Sequence, residues 1–397
     1  MKEFDLLSIR EYFPSKENPV ATIWVYEQLK ELQQYGINSL VISPTPIVPK
    51  ILKYFAKKRV NWKIKHSKTI ENYNGVNVIR PPYLKLPTSY FSDYNIKFKT
   101  TCINNTSKNF KFKLIHAHFG QDGICSIPIK LKKNVPLITS FYGCDLGSEK
   151  DRLRKYYKKL SIVGDLFLAL SENMANDLQD LNFPADKIIV HHLGIDVDKF
   201  IPKMKSKKEK FIFTVVANFF EIKGIHYVIE AFKEFIKNKD VKDYELRLVG
   251  NGPYIKELER LAFGYKNIIF VNNFMTENPR ETVLSEMQLA DVFLLTSISL
   301  PNGDKEGTPV VLMESQACGK PCIATKHAGI PELIVDNVTG ILIEEKNVNQ
   351  IIEAMELLSQ NNKLREMMGL AARDYVIQNF NNKIQIENLN SIYRRFI

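Results

Sequence analysis

The chain has 397 residues, 45% apolar and 25% charged, which is enough for two domains with separate cores and excludes a disordered or disulfide-stapled class. Its net charge of +11 lies wholly in the first half: residues 1–200 hold 30 Lys and Arg against 19 Asp and Glu, whereas residues 201–397 hold 25 of each, so one lobe expects an anionic partner and the other does not. The five cysteines show no metal-ligand spacing and fit free thiols in a reducing cytosol, Met1-Lys2-Glu3-Phe4-Asp5 runs into a strand rather than a leader, and no apolar run approaches the roughly 18–20 residues that span a bilayer.

Phe4–Ile9 reads as a buried strand, Val25–Tyr35 as a helix ended by Gly36, and Ser39–Ser43 as the next strand. The loop before that helix, Asn18-Pro19-Val20-Ala21-Thr22, has no glycine. Residues 50–68 interleave basic side chains with Ile51, Leu52, Tyr54, Phe55, Val60 and Trp62. Such a mixture suits an anionic membrane surface, at about 1 kcal/mol per basic residue near the headgroups, with Lys57, Lys58, Arg59 and Trp62 in contact. The other reading is a solvated lysine-rich connection. Nucleic acid is not expected, because no helix-turn-helix, zinc or RNA-recognition pattern accompanies the charge.

Leu114–Gly120 reads as a strand running into a glycine turn, with His118 at its carboxyl end, where open α/β sheets bind ligands. A single histidine there is more often structural than functional. Leu137–Phe141, Asp165–Leu170 and Lys187–Leu193 are further strands, Ser171 caps a helix, and Lys203–Lys210 reads as a linker. The alternation then restarts with the strand Phe211–Ala217, the turn Asn218–Gly224, and strands Arg247–Gly250, Asn267–Asn272 and Val292–Ser297.

After these comes Glu306-Gly307-Thr308-Pro309-Val310, read as a helix start with Thr308 as N-cap and Pro309 in the first turn. Glu314 sits inside that apolar helix. A buried carboxylate costs several kcal/mol unless it is hydrogen-bonded, so Glu314 is expected to face a polar cavity or a ligand. Glu306 precedes the helix, where free N–H groups favour an anion. The rise from Thr308 to Glu314 is roughly 9 Å, so the two carboxylates bracket different parts of one ligand. Strands Pro321–Thr325 and Gly340–Ile343 and three helices, Asn349–Ser359, Lys363–Val376 and Lys383–Arg395, close the chain.

Glu306-x7-Glu314, with Ala317-Cys318-Gly319-Lys320-Pro321 and Ala328-Gly329-Ile330-Pro331-Glu332 downstream, resembles the retaining glycosyltransferases of family 4. The string Asp304-Lys305-Glu306-Gly307-Thr308-Pro309 looks like the branch that builds bacterial capsular, exopolysaccharide and lipopolysaccharide chains. The resemblance implies an α/β chain of GT-B fold, two Rossmann-like doubly wound domains facing across a cleft. Residues 1–202 would bind the acceptor, 203–379 the nucleotide sugar, and 380–397 would cross back to the first domain.

It implies that Lys223 holds the donor diphosphate, that Glu314 accepts from the ribose, and that Glu306 with the Gly307–Val310 backbone orients the sugar. Gly250 would lie at the donor, His118 near the anomeric centre, and Asp145 at the acceptor. The donor would be a UDP- or GDP-sugar and the acceptor a lipid-linked saccharide. The protein would be cytoplasmic, peripheral to the inner face of the cell membrane, and need neither metal nor cofactor. Gly194-Ile195-Asp196 resembles the family's marker at the domain junction, so Asp196-x-Asp198 is not read as a metal site.

Four positions depart from the family pattern. The loop at Thr22 lacks glycine, Tyr142 stands for a histidine, Asn218 for an arginine, and Asn272 for a glycine. Loss of a charge-assisted contact at Asn218 is worth about 1.5–3 kcal/mol. These departures motivate one rival, a catalytically inactive nucleotide-sugar-binding subunit; transfer to a small soluble acceptor is the other.

Overall fold

The computed structural model describes residues 1–19, 21–48, 65–87, 92–147, 150–203 and 210–397. Lys57, Lys58, Arg59 and Trp62 therefore lie outside the described residues. The chain forms two compact units, Met1–His191 with Ile386–Ile397, and His192–Gln385.

In the first unit the strands are β1 (Lys2–Ile9), β2 (Ser39–Ile42), β3 (Thr45–Ile47), β4 (Ser67–Tyr73), β5 (Val76–Arg80), β6 (Pro82–Leu84), β7 (Phe110–His118), β8 (Leu137–Ser140), β9 (Leu166–Ala169) and β10 (Ile188–Val190). Its helices are α1 (Ile23–Leu32), α2 (Ser92–Ser107), α3 (Gly120–Lys133), α4 (Lys150–Val163) and α5 (Glu172–Asp180). Leu6, Leu7 and Ile9 are wholly buried, as a strand covered on both faces requires. The main sheet runs β10-β9-β8-β7-β1-β2-β5-β4, parallel except for the β4–β5 hairpin. Neighbours of β1 diverge in chain order, so its carboxyl end and that of β7 flank the topological switch point. Thr22 holds the expected glycine position in left-handed backbone, φ 43°, with its hydroxyl donating to the Tyr12 carbonyl at 2.6 Å.

The second unit carries β11 (Phe211–Val216), β12 (Tyr244–Val249), β13 (Ile268–Val271), β14 (Val292–Leu295), β15 (Cys322–Thr325) and β16 (Gly340–Ile343). Among them lie α6 (Ile225–Phe235), α7 (Ile255–Ala262), α8 (Pro279–Leu289) and α9 (Val310–Ala317), followed by α10 (Val348–Gln360), α11 (Asn362–Asn379) and the start of α12 (Asn382–Tyr393), whose residues from Ile386 onward belong to the first unit. The sheet order β13-β12-β11-β14-β15-β16 is the doubly wound 3-2-1-4-5-6 arrangement, and its switch point lies between β11 and β14. Phe213, Val228, Phe232, Leu246, Val292 and Ile323 centre its core.

Residues 192–202, read above as the end of the first domain, pack with the second unit. The Ile195 N–H donates to the Phe380 carbonyl and the Asn382 N–H to the Ile195 carbonyl, each at 2.9 Å, and Arg373 donates to the Phe200 carbonyl. Ile386, Leu389, Ile392 and Tyr393 join the core of the first unit, where the Tyr393 hydroxyl meets His116 Nδ1 at 2.5 Å. No helix among the described residues is long and apolar enough to cross a membrane.

Candidate active site

The switch point of the second unit gathers the loops after β11 and β14. Lys223 ends a turn after β11 and Gly224 follows in left-handed backbone, φ 60°. A side chain at Gly224 would bring its Cβ to 2.0 Å from the Thr296 carbonyl oxygen, so only glycine lets the two loops close. The Thr296 hydroxyl seals the junction by donating to the Gly224 carbonyl at 3.0 Å.

This closure sets Lys223 Nζ against Glu306 Oε2, and the Ser297 hydroxyl donates to the same oxygen at 3.3 Å. Burial alone would raise the Glu306 carboxyl, but the Lys223 ammonium, His327 and the Gly307 N–H hold it below the ordinary carboxylate range. An ion pair is thus poised at the place where an open α/β sheet binds its ligand.

The backbone of Glu306 is fixed from a third direction. Its N–H donates to His327 Nε2 at 2.8 Å, while His327 Nδ1 lies 2.6 Å from Glu345 Oε1 and the Ser299 N–H donates to Glu345 Oε2 at 2.8 Å. Because Nε2 accepts, the proton sits on Nδ1 and is given to Glu345. Neither His327 nor Glu345 stands out in the sequence. The register of β15 on β16 pairs Thr325 with Ile343, which makes the residues two beyond each strand neighbours, a signal available only once the sheet order is known.

The helix start differs from expectation. Pro309 itself is the N-cap of α9, in extended backbone at φ −75° and ψ 109°, without a side-chain cap bond, and Thr308 is buried one residue outside it. Glu314 is buried on α9. Asn218 is exposed. At Gly250 an added Cβ would stand 1.9 Å from the Ala217 carbonyl oxygen, so this glycine lets the exits of β11 and β12 approach. Asp196 is occupied as a turn former, its Oδ1 accepting from the Asp198 and Lys199 N–H groups, and Asp198 pairs with Lys383 at 2.8 Å.

In the first unit, His118 ends β7 with its ring buried and Nδ1 3.0 Å from the Tyr142 hydroxyl. Burial, then His116 and Arg10, push this imidazole well below its usual range, so it is neutral, and its Nε2 is buried with no hydrogen-bond partner among the described residues. Tyr142, in the family's histidine position, therefore orients His118. Phe119 adopts φ 83° at the N-cap of α3, a backbone costing about 1–3 kcal/mol in a non-glycine residue and typical of functional sites. Its ring stacks on Tyr142, centroids 4.4 Å apart, and carries the Arg10 guanidinium 3.7 Å from its centroid.

Asp145 is bound by backbone, accepting from the Gly120 N–H at 3.0 Å and the Tyr142 N–H at 2.9 Å, and so ties the ends of β7 and β8 together. Burial pushes its carboxyl up to about 7 against the pull of those N–H groups and of Arg10. A carboxyl whose folded value lies above its unfolded one contributes stability at low pH, and that contribution is lost as pH rises through about 7. Urea melts of wild type and Asp145→Asn are therefore expected to show the wild type losing ground steadily between about pH 4 and about pH 7. Parallel curves would remove Asp145 as the titrating group.

Two family models match the chain, one described as Glycosyltransferase Family 4 over residues 21–199 and one as Glycosyl transferases group 1 over residues 196–375. The putative colanic acid biosynthesis glycosyltransferase WcaL of Escherichia coli (strain K12) is 31% identical over 293 residues, covering 71% of this chain and 70% of the relative. The UDP-Gal:alpha-D-GlcNAc-diphosphoundecaprenol alpha-1,3-galactosyltransferase of Escherichia coli is 24% identical, covering 72% and 76%. Among solved structures, a glycosyltransferase from Rickettsia africae ESF-5 superimposes with a TM-score of 0.73 at 18% identity, covering 100% of this chain and 99% of that one.

Proposed function

The chain belongs to the family-4 glycosyltransferases of GT-B fold, among relatives that build bacterial polysaccharides, and from that premise we propose a retaining transfer of a sugar from a nucleoside-diphosphate donor to a lipid-linked saccharide. The observation that carries the donor half is the Lys223–Glu306 pair at the switch point of the second unit. Lys223 takes the diphosphate and stabilises the charge that develops on the leaving oxygen. Glu306, released from Lys223 by that phosphate, accepts from a sugar hydroxyl. Glu314 accepts from the ribose, and we assign the positive charge at the diphosphate to Lys223 rather than to a metal ion. Neutral His118, held by Tyr142 through Nδ1, offers its Nε2 side to the sugar or the incoming hydroxyl. The acceptor attacks on the face the leaving group quits, with a donor phosphate oxygen as base, so no side-chain nucleophile is assigned.

UDP is the first choice of nucleotide and a lipid diphosphate the first choice of acceptor anchor, since one relative is named for both. For the membrane, the described residues add one exposed face of α4, where Arg154, Lys155, Lys158 and Lys159 stand beside Ile162, itself 69% exposed. Basic residues next to an exposed apolar side chain supply attraction and insertion together.

One experiment tests these points. Purified protein is given UDP- and GDP-sugars with a lipid-linked acceptor in neutral or anionic vesicles, and the anomeric configuration of the product is read by NMR. The expected result is an α-linked product from an α-linked donor, formed faster on anionic vesicles. Inversion would refute the retaining mechanism, equal rates on both vesicles the membrane surface, and donor binding without turnover would leave the inactive-subunit reading.

A further inference from the structure

The switch point of the first unit opens into a cavity of about 360 Å³, within the range of small-molecule sites, about 300–1,000 Å³. Its walls come from the ends of β1, β7 and β8, from α2, α3 and α4, and from β6 with the segment after it. Among the described residues they carry four cations, Arg10, Lys85, Lys99 and Arg152, against three carboxyl groups, Glu11, Asp122 and Asp145.

The acids are already committed. Glu11 accepts from Lys85 and Lys99, each at 2.8 Å, and from the Tyr83 hydroxyl at 3.0 Å. Asp122 meets Lys99 at 2.6 Å, and Asp145 is bound by backbone N–H groups. Lys99 is thus fully engaged between two carboxylates. Arg10 is the opposite case. Its side chain is only 10% exposed, yet among the described residues its one carboxylate contact is a long 3.4 Å to Asp122, and its Nε is buried with no partner there. A guanidinium has five donors in a rigid fork, made for bidentate oxyanions. Leaving it so poorly filled in a half-enclosed space is expensive unless an acceptor arrives.

We propose that this cavity is an anion subsite, in which a carboxylate or phosphate group of the acceptor is held by Arg10 and Lys85. The site rests on the reading that the first unit takes the acceptor. Phe119 joins it to the chemistry, because the same ring carries Arg10 and follows His118 in the chain. An acceptor anchored by its anion on Arg10 would present a neighbouring hydroxyl near the His118 ring. The anion comes either from an acidic sugar of the saccharide or from the phosphate of its lipid carrier.

Binding of methyl β-D-glucuronide, methyl β-D-glucoside and inorganic phosphate to the full chain, in saturating UDP, is measured by ligand-observed NMR. UDP binding is measured separately on the same preparation. Wild type is expected to bind the glucuronide or phosphate and to bind the glucoside at least tenfold more weakly. Arg10→Lys, which keeps charge but loses the fork, and Lys85→Gln, whose site is the more exposed, should each weaken the anion about ten- to hundredfold. Preference for the glucuronide identifies a sugar carboxylate, and preference for phosphate a carrier phosphate. Equal binding of glucuronide and glucoside without phosphate binding, or unchanged anion affinity in both folded variants, overturns the subsite. UDP binding without anion binding defeats the subsite and leaves the glycosyltransferase reading intact. Anion binding without UDP binding defeats the donor site and leaves the subsite standing.

Discussion

Lys223→Met is expected to lower kcat about 10²–10³-fold, the cost of removing one preorganised group from developing charge. Methionine keeps much of the volume of the lysine stem and removes only the ammonium. Two consequences follow, on opposite sides of the site. The diphosphate loses its cation, which should weaken nucleotide binding by about tenfold or more, since a charge-assisted contact is worth about 1.5–3 kcal/mol. Glu306 loses the partner that holds its carboxyl low, leaving Ser297 and the Gly307 N–H as donors to it. Its carboxyl then rises, and residual activity should climb with pH as Glu306 ionises.

Glu306→Gln separates these effects, because it should reduce turnover while bare UDP binds as before. Glu314→Ala should do the reverse and weaken UDP itself. The double variant Lys223→Met/Glu306→Gln is decisive. If Lys223 acts only by positioning Glu306, the double variant is no slower than Glu306→Gln. If Lys223 also stabilises the leaving diphosphate, it is slower by a further tenfold or more. Turnover in Lys223→Met within threefold of wild type would dismiss the lysine from the chemistry altogether.

How much of this was legible beforehand depended on the distance over which the signal acts. Parallel strands buried on both faces read as continuous apolar runs, so Leu6–Ile9, Phe213–Val216 and Val292–Leu295 were plain. The β4–β5 hairpin was missed although its turn carries an Asn-Gly signature. Asn74 and Gly75 take φ 46° and 95°, as such two-residue turns require, but the half-exposed strand before them follows a lysine-rich run that dominated the reading. Helix α2 was missed for another reason. It buries Ser92, Lys99 and Ser107 beside Ile96 and Ile103, and buried lysine reads as surface until its acids are found. Those acids, Glu11 and Asp122, lie far away in the chain and meet Lys99 only through the topology. Thr308 failed as a cap because Pro309 took an extended backbone, which local propensity does not forbid. Lys223 and Glu306 were found by motif, but their contact was not, because 83 residues separate them.

His327→Ala is expected to reduce kcat about ten- to hundredfold while leaving UDP affinity within a factor of about three, the effect of freeing one part-buried N–H worth about 1–3 kcal/mol. The reasoning starts from the ring. His327 accepts from the Glu306 N–H through Nε2 and so must carry its proton on Nδ1, facing Glu345 and, at 3.4 Å, the Ser299 hydroxyl. Glu345 is itself held by the Ser299 N–H and hydroxyl, so the ring cannot swing. Lys223 lies in the loop after β11 and Glu306 in the loop after β14, so the bond to His327 that fixes the Glu306 backbone also helps set the ion pair between them.

His327 touches no substrate in this scheme and is a positioning residue, which a loss of activity alone would not establish. Its signature is rescue by the conservative variant. His327→Asn can accept from the Glu306 N–H through Oδ1 and donate to Glu345 through its amide, so it should recover most of the activity lost in the alanine variant. A purely structural histidine predicts a different outcome: both variants would lose thermal stability and UDP affinity in step with kcat, and asparagine would restore none of the turnover.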